Sequence, residues 1–156
     1  IAVDPTGSLL YVNDFLNRRP PGQPKPPAPQ SVVRVIALAS LSDNMLAALR
    51  SGGVAAMVQA HADWKSDPAT STIYTEIEIN ALGYGVMSAG QLPAALEVFR
   101  LNTEDYPNSW NVWDSYGEAL ATAGRTDEAI AAYERSLAIN PASPTGQAAL
   151  ERLRAR

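Results

Sequence analysis

The sequence has no cysteine and only one histidine, His61, among its 156 residues. Without cysteine there can be no disulfide, zinc–thiolate site, iron–sulfur cluster or cysteine nucleophile. A single histidine also excludes metal sites built from several imidazole ligands. The redox compartment stays open, because a chain without thiols is compatible with either environment.

Basic residues are also few. The chain has twelve lysine and arginine residues and sixteen acidic ones, which give a formal net charge of −4. We expect no nucleic-acid partner, because phosphate binding needs a basic surface. No apolar run approaches the roughly 20 residues that span a bilayer, and no glycine-rich phosphate loop occurs. We therefore expect no membrane contact and no cofactor.

Proline, by contrast, is abundant and unevenly distributed. Six of the twelve prolines lie between Pro20 and Pro29, which predicts a linker at residues 18–31 because proline has a fixed φ and no N–H. Upstream, two short apolar runs flank the turn-forming segment Asp4–Gly7 and predict a β-hairpin within residues 1–17. A lone hairpin is marginally stable. Since the chain also begins with Ile1, we expect a fragment or processed product of a longer protein. The hairpin then either ends an upstream domain or packs on the helices.

The segment 76–143 contains an internal repeat, because positions in 76–109 recur in the same order in 110–143. The matched pairs are Gly83 with Gly117, Gly90 with Gly124, Ala95 with Ala129, Phe99 with Tyr133 and Pro107 with Pro141. Each pair has a packing reason: small residues where two antiparallel helices touch, a glycine in the turn, an aromatic side chain between helices, and a proline that ends the second helix. The repeat therefore predicts helix–turn–helix units.

These residues resemble the tetratricopeptide repeat (TPR), a helix–turn–helix of about 34 residues. The two repeats are 76–109 and 110–143, and the first has Ile79 where an aromatic residue is usual. The resemblance implies a mainly α fold, a TPR-like antiparallel helix–turn–helix array (an α–α superhelix), here with a short N-terminal β-hairpin. We place the helical domain at residues 41–156. It ends in a capping helix at 144–155, and Arg152, Arg154 and Arg156 are expected on the outer side of this end.

Local signals add detail to this register. Thr75 and Glu78 predict a reciprocal capping box, and Ser109 is predicted to cap the helix that begins at Trp110. Gly90 and Gly124 are predicted to end helices in the left-handed conformation. Upstream, Asp43–Arg50 and Val54–Trp64 predict two short helices broken by Gly52-Gly53. The aromatic residues that follow the repeat are predicted to pack between helices; they are Phe99, Tyr106, Trp110, Trp113, Tyr116 and Tyr133.

No set of residues predicts catalysis. We interpret His61 as a surface or partly packed helix residue, and neither Lys25 nor Lys65 completes a Ser-x-x-Lys motif. Two groups of acids are candidates for paired carboxylates, Glu76 and Glu78 with Glu97, and Asp127 with Glu128. The favoured interpretation is that acids in a first helical turn stabilise the helix dipole. We predict that this chain is not an enzyme.

The TPR resemblance implies a concave groove lined by the first helix of each repeat. The residues at these positions are Ile77, Asn80, Tyr84, Met87 and Ser88 in the first repeat, and Asn111, Asp114, Glu118, Ala121 and Thr122 in the second. None is basic, which disfavours the TPR class that clamps a C-terminal carboxylate. The groove is apolar at one end and acidic at the other. It suits a protein or peptide, including a neighbouring helix, a basic segment or an upstream domain of the same chain, or it is filled by other parts of the chain.

A narrower resemblance concerns the parent protein. The segments Val98–Asn102 and Tyr106-Pro107 are similar to TPR-like C-terminal tails of bacterial serine hydrolases, of the β-lactamase and penicillin-binding type or the esterase type. That resemblance implies an upstream catalytic domain and a periplasmic or cell-envelope location; otherwise we expect a cytoplasmic one. The hairpin also resembles a strand pair of a β-propeller blade. We predict a non-catalytic interaction module, with the C-terminal fragment of a hydrolase as the alternative.

Overall fold

The computed structural model describes residues 2–3, 9–10 and 40–155. Strands β1 (Ala2–Val3) and β2 (Leu9–Leu10) pair antiparallel, with Ala2 opposite Leu10 and Val3 opposite Leu9. The rest of the predicted hairpin and the whole linker at 18–31 lie outside the described residues. The hairpin, the linker and the predicted domain boundaries therefore stay predictions. By its contacts the chain divides into two units, Ile1–Leu38 and Ala39–Arg156.

Residues 40–155 form six helices. They are α1 (Leu41–Ser66), α2 (Glu76–Ser88), α3 (Leu92–Asp105), α4 (Trp110–Thr122), α5 (Thr126–Ile139) and α6 (Pro144–Arg154). Helices α2 and α4 begin at equivalent positions of the two repeats, and so do α3 and α5. The structure thus has a pair of helices in each of the two predicted repeats and a single helix after them.

The turns inside both repeats have the predicted left-handed glycines. Gly90 has a φ of 77° and Gly124 a φ of 74°. In each turn the N–H of the next residue bonds back to the preceding helix, from Gln91 to the Val86 carbonyl and from Arg125 to the Leu120 carbonyl. These bonds satisfy carbonyls that a helix end leaves free, so both turns close in the same way.

Helices within a repeat pack closely around an aromatic ring. Phe99 of α3 is fully buried against Gly83 of α2, and Tyr133 of α5 is buried against Gly117 of α4. A Cβ built on Gly83 would lie 2.6 Å from the Phe99 ring, and one on Gly117 would lie 3.1 Å from the Tyr133 ring. Glycine is therefore required by the close approach of the helices rather than by their backbone angles. Trp110 departs from the predicted packing role, since it is 38% exposed.

Helix α1 consists of two helical segments that meet in a kink. Gly53 has a φ of 72° and a ψ of −163° and is not helical, so the segments on either side of it are separate helices within the range Leu41–Ser66. The predicted break between two short helices is therefore present at Gly53. Ser40 caps α1 through a reciprocal capping box with Asp43, which was not among the predicted caps.

The predicted caps of α2 and α4 are only partly correct. Thr75 accepts from the N–H of Glu78 as expected, at 3.2 Å. The Glu78 carboxylate does not complete the box, because it accepts instead from the N–H of Ser42 in α1, at 3.0 Å. The Ser109 side chain makes no capping bond to α4. Glu78 therefore serves the N-terminus of a neighbouring helix, where its charge complements the helix dipole.

A buried ionic cluster joins α1 to α3. The Asp105 side chain is 2% exposed, and it accepts a hydrogen bond from His61 Nε2 at 2.7 Å. Lys65 binds the other carboxylate oxygen and is itself 43% exposed. Interpreting His61 as a surface or partly packed residue was therefore wrong: its side chain is 5% exposed and ties two helices together.

Candidate functional site

The seven residues for which we predicted groove contacts lie on α2 and α4, in different environments. Ile77 is 73% exposed and Glu118 is exposed, whereas the others are partly buried. Met87 packs against the core rather than standing free. The remaining four residues, all intermediate in exposure, are Asn80, Tyr84, Asn111 and Asp114. At the apolar end of the groove, Ile77 is therefore the residue whose side chain is largely exposed to solvent.

A hydrogen bond between equivalent positions links the two repeats. The Tyr84 hydroxyl donates to Glu118 Oε2 at 2.8 Å and lies 3.3 Å from Ser115 Oγ. Its ring meets Phe99 edge-on, with centroids 5.0 Å apart. Burial, followed by smaller effects that include the Glu118 charge, raises the pKa of Tyr84 to about 12. The hydroxyl therefore stays a donor at neutral pH and holds Glu118 in place.

Asp114 carries an unsatisfied acceptor. Its Oδ1 is buried and has no hydrogen-bond partner, although buried polar atoms are rarely left unpaired. A Cβ on Gly146 of α6 would lie 3.2 Å from this oxygen, so the absence of that carbon makes room for the carboxylate. Burial, and secondarily the negative charge of Glu118, raises the pKa of Asp114 above its usual range.

A cavity of about 470 Å³ opens beside Asp114, between α4 and α6. Its size is that of a small-ligand site or a side-chain pocket. The lining residues are Asp114, Glu118, Ala121 and Thr122 of α4, Tyr133 of α5, and Thr145, Ala149, Arg152 and Leu153 of α6. The structure thus brings together four predicted groove residues, Asp114, Glu118, Ala121 and Thr122. It does not place Ile77, Asn80, Tyr84, Met87, Ser88 or Asn111 around this cavity.

We did not predict from the sequence that α6 forms the second wall of the cavity. We expected Arg152 and Arg154 on the outer side of the last helix; Arg154 does pair with Glu134 of α5, but Arg152 lines the cavity. The signal was available, because Arg152 follows Glu118 at the same interval at which Glu118 follows Tyr84. Extending the register into α6 would have identified it as a third groove helix.

The acids considered as catalytic pairs have other partners. Glu97 binds Arg100 at 2.8 Å and Glu128 binds Arg125 at 2.7 Å, while Glu78 caps α1. Across residues 40–155 and the two short strands, no group of three or more histidine or acidic side chains is placed to hold a metal ion. None of the helices in the described part of the chain is long and apolar enough to cross a membrane.

The paired helices form a TPR-like α-helical repeat array. A tetratricopeptide repeat family model matches residues 110–153. Among solved structures, the chain is similar to the first TPR of Spaghetti (RPAP3) bound to the HSP90 peptide SRMEEVD. The TM-score is 0.51 at 13% identity, and the similarity covers 74% of this chain and 88% of that chain. At this identity the match supports the fold alone.

No curated protein matches the chain. The resemblance to serine-hydrolase tails finds no support in the family match or in the structural neighbour, both of which concern the TPR only. The hydrolase parent, the bacterial source and the location in the cell therefore stay predictions.

Proposed function

We propose that the helical part of the chain is a non-catalytic protein-interaction module that binds a peptide segment of a partner in the groove formed by α2, α4 and α6. The observation that carries the proposal is the cavity beside Asp114 and Glu118, which opens at the predicted groove positions of α4. The TPR match and a structural neighbour that holds a peptide support it. An extended segment suits the site, because one groove helix from each repeat lies along it.

The chemistry of the groove argues against one class of peptide. The peptide of the neighbouring structure, SRMEEVD, is acidic toward its C-terminus. In this chain the ten groove positions of the two repeats carry no lysine or arginine, so an acidic tail would meet Asp114 and Glu118, with Arg152 of α6 as the one cation among the described residues that line the cavity. Like charges placed together across an interface disfavour a partner. We propose a partner segment that is not acidic, and we expect SRMEEVD not to bind measurably.

Peptide selection tests the groove directly. Random dodecapeptides displayed on phage would be selected against the full chain, and the affinity of synthetic copies measured by fluorescence anisotropy. We expect the double variant Asn111→Ala/Glu118→Ala to weaken binding by about tenfold or more, because it removes polar contacts along α4. Asp127→Ala/Glu151→Ala is the matched control, since both of its residues are exposed and do not line the cavity. Failure to select any peptide, or equal affinities for the two double variants, would overturn the proposed groove.

A further inference from the structure

We propose that the cavity between α4 and α6 receives a lysine or arginine side chain of the bound partner, and this proposal rests on the proposed function above. It goes beyond peptide binding in general because it assigns a charge to one subsite. Three features support it: the carboxylates of α4, the unpaired acceptor of Asp114, and three apolar residues that also line the cavity.

Two carboxylates one helical turn apart form the acidic wall. Asp114 and Glu118 both line the cavity, and residues four apart lie on the same face of a helix. Neither forms an ion pair with any of the described residues; Arg152, across the cavity, pairs with neither of them. A cation from outside would therefore complete the site rather than displace an existing partner.

The acidic wall contains an acceptor that lacks a donor. Asp114 Oδ1 is buried and has no hydrogen-bond partner among the described residues. Glu118 receives one hydrogen bond, from Tyr84 to Oε2. A ligand that satisfies these acceptors must supply hydrogen-bond donors, and lysine and arginine side chains carry donors only. Bonds from a cationic donor to a carboxylate are also stronger than neutral ones.

The remaining lining suits the stem of a long basic side chain. Ala121, Ala149 and Leu153 contribute apolar surface next to the two acids. Lysine and arginine pack their methylene stems on apolar surface while the charged end reaches a polar group. The charge of Arg152 repels a second cation in the cavity, but its side chain is exposed and can turn to solvent. Two acids against one base leave the cavity negative overall.

The first test is the composition of the selected peptides. Groove-dependent dodecapeptides should share a lysine or arginine at one position. Replacing it with a neutral analogue of similar length, citrulline for arginine or norleucine for lysine, should weaken binding by about tenfold or more. Asp114→Asn/Glu118→Gln should remove this discrimination, so that both peptides bind equally. Glu151→Gln, the same change at an exposed acid outside the cavity, should keep it.

The outcomes separate this proposal from the general one. Peptides that bind through the groove without a shared basic residue, or whose neutral analogues bind equally well, would overturn the cationic subsite and leave the interaction module standing. If no peptide depends on the groove, the proposed function fails and the subsite fails with it.

A stability measurement distinguishes a binding residue from a structural one. Because the pKa of Asp114 is raised in the folded state, its contribution to stability is present below its unfolded pKa and is lost as the pH rises through its folded pKa. At neutral pH its charge therefore opposes folding. Asp114→Asn should raise the thermal midpoint at pH 7 while it lowers affinity for the basic peptide. A lowered midpoint with unchanged affinity would mean that Asp114 is structural and would overturn its place in the subsite.

Discussion

Replacing Asp105 with alanine is expected to destabilise the protein by about 3 kcal/mol. The Asp105 carboxylate is buried and binds two groups, His61 and Lys65, so alanine removes two charge-assisted bonds at once. Lys65 can recover hydration because it is partly exposed, whereas His61 would keep a buried Nε2 without its partner. Urea unfolding of the full chain, followed by far-ultraviolet circular dichroism, would measure the loss.

Two further variants make the Asp105 experiment specific. Asp63→Ala removes an exposed acid whose side chain accepts a bond from Gln59 one turn away, and should change stability by less than about 0.5 kcal/mol. The double variant His61→Leu/Asp105→Leu should lose less than Asp105→Ala alone, since it does not leave the buried His61 ring without its partner. Equal losses for Asp105→Ala and Asp63→Ala would contradict the assigned role.

The same cluster gives the stability a defined pH dependence. Burial tends to raise the pKa of Asp105, but the hydrogen bonds and charges of His61 and Lys65 outweigh it and hold this pKa below its ordinary value of 3.8. A depressed folded pKa stabilises the protein above the unfolded pKa, and this stability is lost as the pH falls through the folded value. The wild type should therefore lose stability below about pH 4. Asp105→Asn should lose less over that range, and parallel curves for the two proteins would refute the linkage.

Replacing Gly83 with alanine is the second large effect that we expect, a loss of about 1–3 kcal/mol. The added Cβ would lie 2.6 Å from Cε1 and 2.7 Å from Cζ of Phe99. The ring is fully buried and cannot move into solvent, so α2 and α3 must separate. Thermal and urea unfolding of the single variant would report the cost.

Neighbouring glycines supply matched controls for Gly83. Gly85 lies in the same helix with no atom within 4 Å of an added Cβ. Gly85→Ala should stabilise the protein by about 0.5–1 kcal/mol, because alanine is the better helix former. Gly117→Ala should fall between the two, since its Cβ would be 3.1 Å from the Tyr133 ring. If Gly83→Ala were as stable as Gly85→Ala, the close helix contact would be wrong.

The repeat itself was predictable because the same pattern of residues occurs twice in the sequence. Glycines at Gly90 and Gly124, and the ring–glycine contacts at Phe99 and Tyr133, follow from local rules that act within one helical pair. Helix α6 ends at Arg154, one residue before the end of the predicted capping helix at 144–155. When each repeat packs in the same way as the one before it, the period of the sequence determines which helix faces are in contact.

Contacts outside the repeat were not predictable in this way. His61 lies far from Asp105 in the sequence, and Ser42 lies far from Glu78. Both contacts depend on how α1 packs against α2 and α3, and α1 lacks the glycine and aromatic signals that set the register elsewhere. In the site, the acids of α4 were identified from position alone, whereas the wall formed by α6 needed the third copy of the register. The bond from Tyr84 to the α4 carboxylate required knowledge of side-chain rotamers, which sequence spacing does not supply.

One register position recurs in three successive groove helices. Tyr84, Glu118 and Arg152 follow one another at the interval of the repeat, so successive helices present an aromatic hydroxyl, an anion and a cation along the groove. This order has no symmetry. A partner segment that pairs a cation with Glu118 and an anion with Arg152 can do so in only one chain direction, since reversal would bring like charges together. The proposed groove would therefore select the chain direction of its partner as well as its charge.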